Sequence, residues 1–214
     1  MTLKHRPKAM LLIGPTGSGK TPFGLMLEKQ GLDGMRCKHF DFGNELRCVA
    51  STQEPAYPFT REEHGFVVDV LEKGLLLENE HFYLAEKIFY NFCERIQFQI
   101  HDMLILNGMP RHEGQAKDVA RIVDIRAVVE LKCEPHVIHK RIQQNTGGDR
   151  HGRDDDHLHL IQKKVAIYHK RTVALVDHYT RHKCHLYRIE VGEFTTADEA
   201  CEVFVTSYRD NRCF

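Results

Sequence analysis

Eight consecutive residues, Gly14-Pro15-Thr16-Gly17-Ser18-Gly19-Lys20-Thr21, carry the strongest chemical signal in the chain. They match the pattern GxxxxGK[ST] in full, after a short apolar run and before a helical stretch, which is the context that pattern requires. The spelling has a physical cause. Glycines let successive backbone N–H groups curl around phosphate oxygens. The N-terminus of the helix that follows adds partial positive charge. Lys20 then reaches the β- and γ-phosphates, and Thr21 offers its hydroxyl to Mg²⁺. Such a loop binds a nucleoside triphosphate. It leaves open what accepts the phosphate.

Further strings lie downstream. Leu106-Asn107-Gly108-Met109-Pro110-Arg111 runs on to Gln115-Ala116. Gly43-Asn44-Glu45-Leu46-Arg47 lies before it, and Arg141 and Gly152-Arg153-Asp154-Asp155-Asp156 lie after it. In these strings, and in their order, the chain resembles the adenylate kinase family of nucleoside monophosphate kinases. The resemblance covers nearly the whole length. It implies that Gly43, Arg47, Gly108 and Arg111 hold an acceptor monophosphate, with Gln115 on its base, where a glutamine suits adenine. It implies that Arg141 and Arg153 come from the lid side to stabilise the transferring group, with Asp155, Asp156 and Lys164 in or beside the lid. The catalytic set is then Lys20, Arg111, Arg141 and Arg153.

The charge arithmetic agrees. ATP and a monophosphate carry about six negative charges, of which Mg²⁺ cancels two. Lys20, Arg47, Arg111, Arg141 and Arg153 supply five positive ones. Arginine suits this work because its fork grips phosphate oxygens in pairs. These residues come from separate segments, so only the fold can gather them.

The sequence also departs from the family's strings. Asn107 stands where the family has an aspartate near the Mg²⁺ shell. An amide contacts the ion only through water and brings no charge, which implies weaker Mg²⁺ binding that Asn107→Asp would tighten. Lys164 replaces an arginine, so it keeps charge but loses the fork. Asn145 falls where a second lid arginine is common. Phe42 replaces a small hydroxyl residue facing the acceptor base, so a ring there would narrow or re-line that pocket.

Elements must position these groups. Short apolar runs at residues 9–13, 39–42, 103–106, 127–131 and 185–191 read as buried strands. Runs that are nearly all apolar suit a parallel sheet covered on both faces. Phe82, Ala85, Ile88 and Phe89 recur at helical spacing, as do Leu158, Ile161, Val165 and Tyr168. A single post-lid helix is expected over residues 161–179. Alternating strands and helices predict an α/β fold of three layers, with a central five-stranded parallel sheet of the P-loop nucleoside triphosphate hydrolase type. The whole chain, 1–214, reads as a single P-loop kinase domain. The family resemblance implies that residues 44–77 form an inserted monophosphate-binding segment and residues 145–157 a short lid.

Composition sets bounds. The chain has 214 residues and is 42% hydrophobic, enough for a sizeable core and against disorder. Thirty basic and thirty acidic side chains cancel, which argues against nucleic acid as a general partner. Seven cysteines without a CxxC argue against a zinc ribbon or a secreted disulfide scaffold, and for a cytoplasmic protein. The lid segment is short and holds no cysteine, so no structural zinc is expected. His151, His157 and His159 beside the three aspartates read as a solvated helix start rather than a metal cluster. The aromatic group at Phe82, Tyr83, Phe89, Tyr90 and Phe92 reads as packing of a helix on the sheet. No run spans a membrane.

The leading reading is a monomeric kinase that moves the γ-phosphate of MgATP to a nucleoside monophosphate, with AMP favoured. Two others stay open. One is a nucleotide-binding protein of the same fold with little turnover. The other is a P-loop kinase with a non-nucleotide acceptor.

Overall fold

A strand can be apolar throughout only when both its faces are covered. β1 (Lys8–Ile13) is such a strand: Ala9, Leu11 and Ile13 enter one core while Met10 and Leu12 enter another. The computed structural model describes residues 5–55, 58–149 and 158–211. Four further strands join β1: β2 (Cys37–Asp41), β3 (Met103–Asn107), β4 (Asp124–Lys132) and β5 (His185–Glu190). They form one five-stranded sheet, parallel throughout, in the order β2-β3-β1-β4-β5. All five expected strands are present. The second ends one residue early, because Phe42 opens a helix instead.

Helices cover both faces, which makes the fold the three-layer α/β arrangement expected. On one side lie α1 (Lys20–Gln30), α6 (Pro135–Gln144) and α9 (Ala197–Asp210), with Phe23, Leu27, Ile138 and Phe204 packed on the sheet. On the other lie α4 (Phe82–Arg95), α5 (Glu113–Ile122) and α8 (Ala174–Arg181). Between β2 and α4 the chain forms α2 (Phe42–Ala50) and α3 (Arg61–Glu72), so most of segment 44–77 is helical. A capping box at Thr60 and Glu63 starts α3. The expected face of α4 is buried: Phe82, Ala85, Ile88 and Phe89 all enter the core. Phe40 of β2 meets Phe89 and Phe92 edge-on, with centroids 5.5 and 5.0 Å apart. Tyr83 departs from the aromatic expectation, since it is exposed.

The post-lid stretch is also not one regular helix. α7 (Leu158–Ile167) passes through a π-helical turn, Tyr168–Thr172, before α8. Such a turn carries an extra residue and re-aims the side chains on it. Here Arg171 binds Glu78, and the Thr172 hydroxyl donates to the Arg111 carbonyl at 2.8 Å. Asp154, Asp155 and Asp156, expected to open this helix, lie outside the described residues.

Among the described residues no helix is long and apolar enough to cross a membrane. The six described cysteines form no disulfide. Burial pushes the thiols of Cys37, Cys93 and Cys201 up to about 12.

Phe204 ties this packing together: it is fully buried and meets Phe23 at 5.7 Å and Tyr187 at 5.2 Å. Phe204→Ala should cost about 3–5 kcal/mol. Val203→Ala, at the exposed next position, should stay within about 0.5 kcal/mol. Urea unfolding should show the first as a lower midpoint at unchanged slope and the second as nearly no shift.

Candidate active site

Sheet order decides where the chemistry can sit. β1 lies between β3 and β4, and the chain leaves β1 by way of α1 to reach the edge strand β2. In such sheets the crevice at the carboxyl ends of the strands is the binding place. Three strand ends meet there. Asn107 is in register with Leu12 of β1 on one side and with Asp41 of β2 on the other. The loop 14–19 follows β1 directly.

That loop turns on glycine. Gly17 and Gly19 have φ of 83° and 91°, a region that side chains make costly. Gly19 is the N-cap of α1, and no side chain caps that helix. With no acidic residue in its first turn either, the N-terminal N–H groups are suited to an anion. Lys20 Nζ folds back on its own loop, donating to the carbonyls of Gly14 and Pro15 at 2.8 and 2.7 Å. Thr16, Gly17, Gly19, Lys20 and Thr21 line one cleft, and Gly14, Pro15 and Ser18 do not line it.

The same cleft gathers most of the other expected residues. Gly43, Arg47, Gly108, Arg111, Gln115 and Lys164 all line it. Gly108, at φ 87°, brings the β3–α5 turn against α2, where an added Cβ would meet Phe42 Cβ at 3.5 Å. Arg111 Nε is buried there without a hydrogen-bond partner. Burial lowers its pKa and the nearby Asp41 raises it, with a net fall. A buried guanidinium of that kind fits an anion. Val70, Leu71 and Leu75–Leu77 add an apolar wall.

Three residues sit differently from expectation. Gln115 reaches the cleft, but its Oε1 accepts from the Arg111 N–H at 2.8 Å and its Nε2 donates to the Leu77 carbonyl at 2.5 Å. Phe42 lines the cleft, yet it is buried and stacked on Phe40, so the ring belongs partly to the core. Arg141 does not line the cleft. It lies buried, where Nε donates to the Gly17 carbonyl at 3.1 Å. Its Nη1 donates to the carbonyls of Gly192 and Thr195 at 2.7 and 2.9 Å. The side chain expected on the lid side therefore braces the phosphate loop against the β5–α9 connection. Arg153, Asp155 and Asp156 lie outside the described residues, as do His151 and His157. Asn145 has a local reason to replace an arginine: it ends α6 at φ 50°, a conformation asparagine tolerates.

Sequence reading missed Asp41. Its Oδ2 accepts from Thr21 Oγ1 at 2.6 Å and from Asn107 Nδ2 at 2.9 Å. Its Oδ1 accepts the Asn44 N–H at 3.0 Å and caps α2. Burial pushes this carboxyl up, but the Thr21 hydroxyl, His39, the Asn44 N–H and Arg47 together hold it below its ordinary value. A carboxylate at the end of a predicted strand, two residues before Gly43, was the signal available. Hydroxyl, carboxylate and amide oxygens form a hard donor set, which fits Mg²⁺. Among the described residues no group of three histidine, cysteine or acidic side chains is placed to hold a metal by itself.

The chain has relatives among the adenylate kinases. It is 31% identical over 178 residues to an adenylate kinase of Parvibaculum lavamentivorans, covering 79% of this chain and 78% of that one. The chain belongs to the adenylate kinase family. It is a phosphotransferase of the nucleoside monophosphate kinase type. Adenylate kinases of Parabacteroides distasonis and Prochlorococcus marinus are 27% and 25% identical, over 83% and 79% of this chain and 86% and 82% of theirs. No family model matches.

Two contacts of this family member are open to direct test. Arg141→Ala leaves buried carbonyls unpaired and should cost about 2–4 kcal/mol in urea unfolding. Arg141→Lys should recover only part, since lysine lacks the fork. The Arg171–Glu78 pair, at 2.5 and 2.9 Å, fastens the π turn to the loop before α4. Arg171 holds the Glu78 carboxyl below its ordinary value. Its contribution is therefore present above that value and is lost as pH falls through the lowered one. Both groups are partly exposed, so Arg171→Met should cost at most about 1 kcal/mol near neutrality. Urea midpoints taken from pH 7 down to pH 3 should converge for the two proteins at the acid end.

Proposed function

We propose that this protein transfers the γ-phosphate of MgATP to a nucleoside monophosphate, with AMP as the favoured acceptor, giving ADP and a nucleoside diphosphate. The observation that carries the reading is the shared cleft. The phosphate loop and Lys20 face it from β1, and Arg47 and Arg111, whose buried Nε has no hydrogen-bond partner, line it from α2 and the β3–α5 turn. Triphosphate and monophosphate repel each other, and this cleft offers both a cationic lining.

Each residue has a part in that reading. Lys20 leaves its loop carbonyls for the β- and γ-phosphates. The open α1 N-terminus receives phosphate oxygens. Arg47 and Arg111 hold the acceptor phosphate and direct one of its oxygens in line with the γ-phosphorus. Gln115 still has one N–H and one oxygen lone pair uncommitted, a donor and an acceptor that match the N1 and amino edge of adenine. The apolar wall at Val70, Leu71 and Leu75–Leu77 covers the base. Thr21, with Asn107 nearby, would hold Mg²⁺ on the triphosphate, and the ion would offset charge on the phosphates. Lys164 adds charge from α7.

The inserted segment 44–77 serves the acceptor side in this reading, and residues 145–157, with Arg153, Asp155 and Asp156, serve as a short lid that excludes water. The same reading puts a monomeric enzyme of nucleotide metabolism in the cytoplasm, where its thiols stay reduced. It needs neither nucleic acid nor membrane.

The test is incubation with MgATP and AMP, CMP, UMP, GMP or dAMP in turn, with nucleotides separated by chromatography. Diphosphate should form fastest from AMP. Lys20→Ala and Arg111→Ala should each lower kcat/KM by about 10²–10³-fold, the scale of one lost transition-state donor. ATP binding without diphosphate from any acceptor would favour a binding protein or a different acceptor.

A further inference from the structure

We propose that the carboxylate on the metal side of this nucleotide site has moved from the end of β3 to the end of β2. Asp41 supplies it, and Asn107 supplies the complementary amide. The inference rests on the reading that the phosphate loop binds ATP as its Mg²⁺ complex.

The geometry carries the exchange. β2 and β3 run parallel, with Asp41 directly in register with Asn107. Phosphate loops of this kind hold the ion through the loop threonine or serine and a strand-end aspartate. Asn107 stands at the end of β3, next to β1, and carries no charge. Asp41 stands one strand further out, yet Thr21 Oγ1 donates to its Oδ2 at 2.6 Å. With its proton on that carboxylate, the Thr21 hydroxyl accepts the Asn107 Nδ2 N–H at 3.3 Å with one lone pair and keeps the other for a hard cation.

Asn107 fits that arrangement and no other choice of charge does as well. Its Nδ2 donates to the same Oδ2 at 2.9 Å. An aspartate at 107 would set two carboxylates at this separation, where like charges oppose each other strongly. The pair therefore keeps one carboxylate and one amide, with the positions exchanged. This replaces the expectation that Asn107 leaves the ion short of charge and that Asn107→Asp alone would correct it.

Asp41 also has two other neighbours to account for. Its Oδ1 caps α2 through the Asn44 N–H, and Arg47 and Arg111 lie close enough to interact with its charge. Asparagine caps helices about as well as aspartate, so Asp41→Asn removes the charge and keeps the cap.

The test titrates Mn²⁺, followed by its electron paramagnetic resonance signal, into full-length protein with a non-hydrolysable ATP analogue and no acceptor. The proteins are the parent, Asp41→Asn, Asn107→Asp and the double variant, each checked for fold by circular dichroism. Asp41→Asn should weaken Mn²⁺ by about 10–100-fold, the range for a lost supporting group around a metal. Binding of the metal-free analogue should change by less than about twofold. Asn107→Asp alone should not tighten Mn²⁺, and the double variant should regain most of the lost affinity. Unchanged Mn²⁺ affinity in Asp41→Asn overturns the proposal, and so does a double variant that folds without recovering. If Asp41→Asn does not fold, the double variant decides, and its failure to fold overturns the exchange as well. If Asp41 instead serves only the acceptor arginines, its loss raises the acceptor KM and leaves the Mn²⁺ titration alone. No Mn²⁺-dependent analogue binding in the parent protein sinks the MgATP reading itself, a different result from any of these.

Discussion

β1 is buried on both faces along almost its whole length, and the architecture follows from that constraint. A strand so placed has no room for a polar side chain until it ends. Its neighbours are parallel strands, and the crossover helices that connect them cover both faces. The first polar business of the chain is therefore done by backbone, in the loop beyond Ile13. Once β1 is fixed between β3 and β4, the carboxyl ends of β1, β2 and β3 fall side by side. Thr21, Asn107 and Asp41, far apart in sequence, become a hydrogen-bonded group.

Around this point the charges divide by burial. Arg141 is buried and committed to carbonyl oxygens on the phosphate loop and on the 192–195 connection. It fastens these two loops to each other. Arg111 is different: it lines the cleft, and its Nε is buried without a hydrogen-bond partner. Two arginines of equal formal charge thus sit differently, one committed to loop carbonyls and one lining the cleft. The distinction lies in what surrounds each fork.

The fold was legible because its signals are local. Five apolar runs marked five strands, and the phosphate loop marked the first strand-to-helix turn. The helical spacing of Phe82, Ala85, Ile88 and Phe89 marked the buried face of α4. The π turn at Tyr168–Thr172 was not legible, since it depends on Glu78 and the Arg111 carbonyl, which belong to other segments. Tyr83 was misread for a related reason: sequence spacing cannot say how wide the covered stripe of a helix is.

The sequence by itself determined the phosphate loop, the family likeness, the alternation of strands and helices and the types of residue available to hold two anions. Those features depend on side-chain type and short-range spacing, which the chain carries wherever it folds. Tertiary structure decided which charges face the cleft, that Arg141 braces the phosphate loop, and that Asp41 meets Thr21 across twenty residues. These depend on strand order and register. A shift of one strand position would separate the same residues without changing a letter of the sequence.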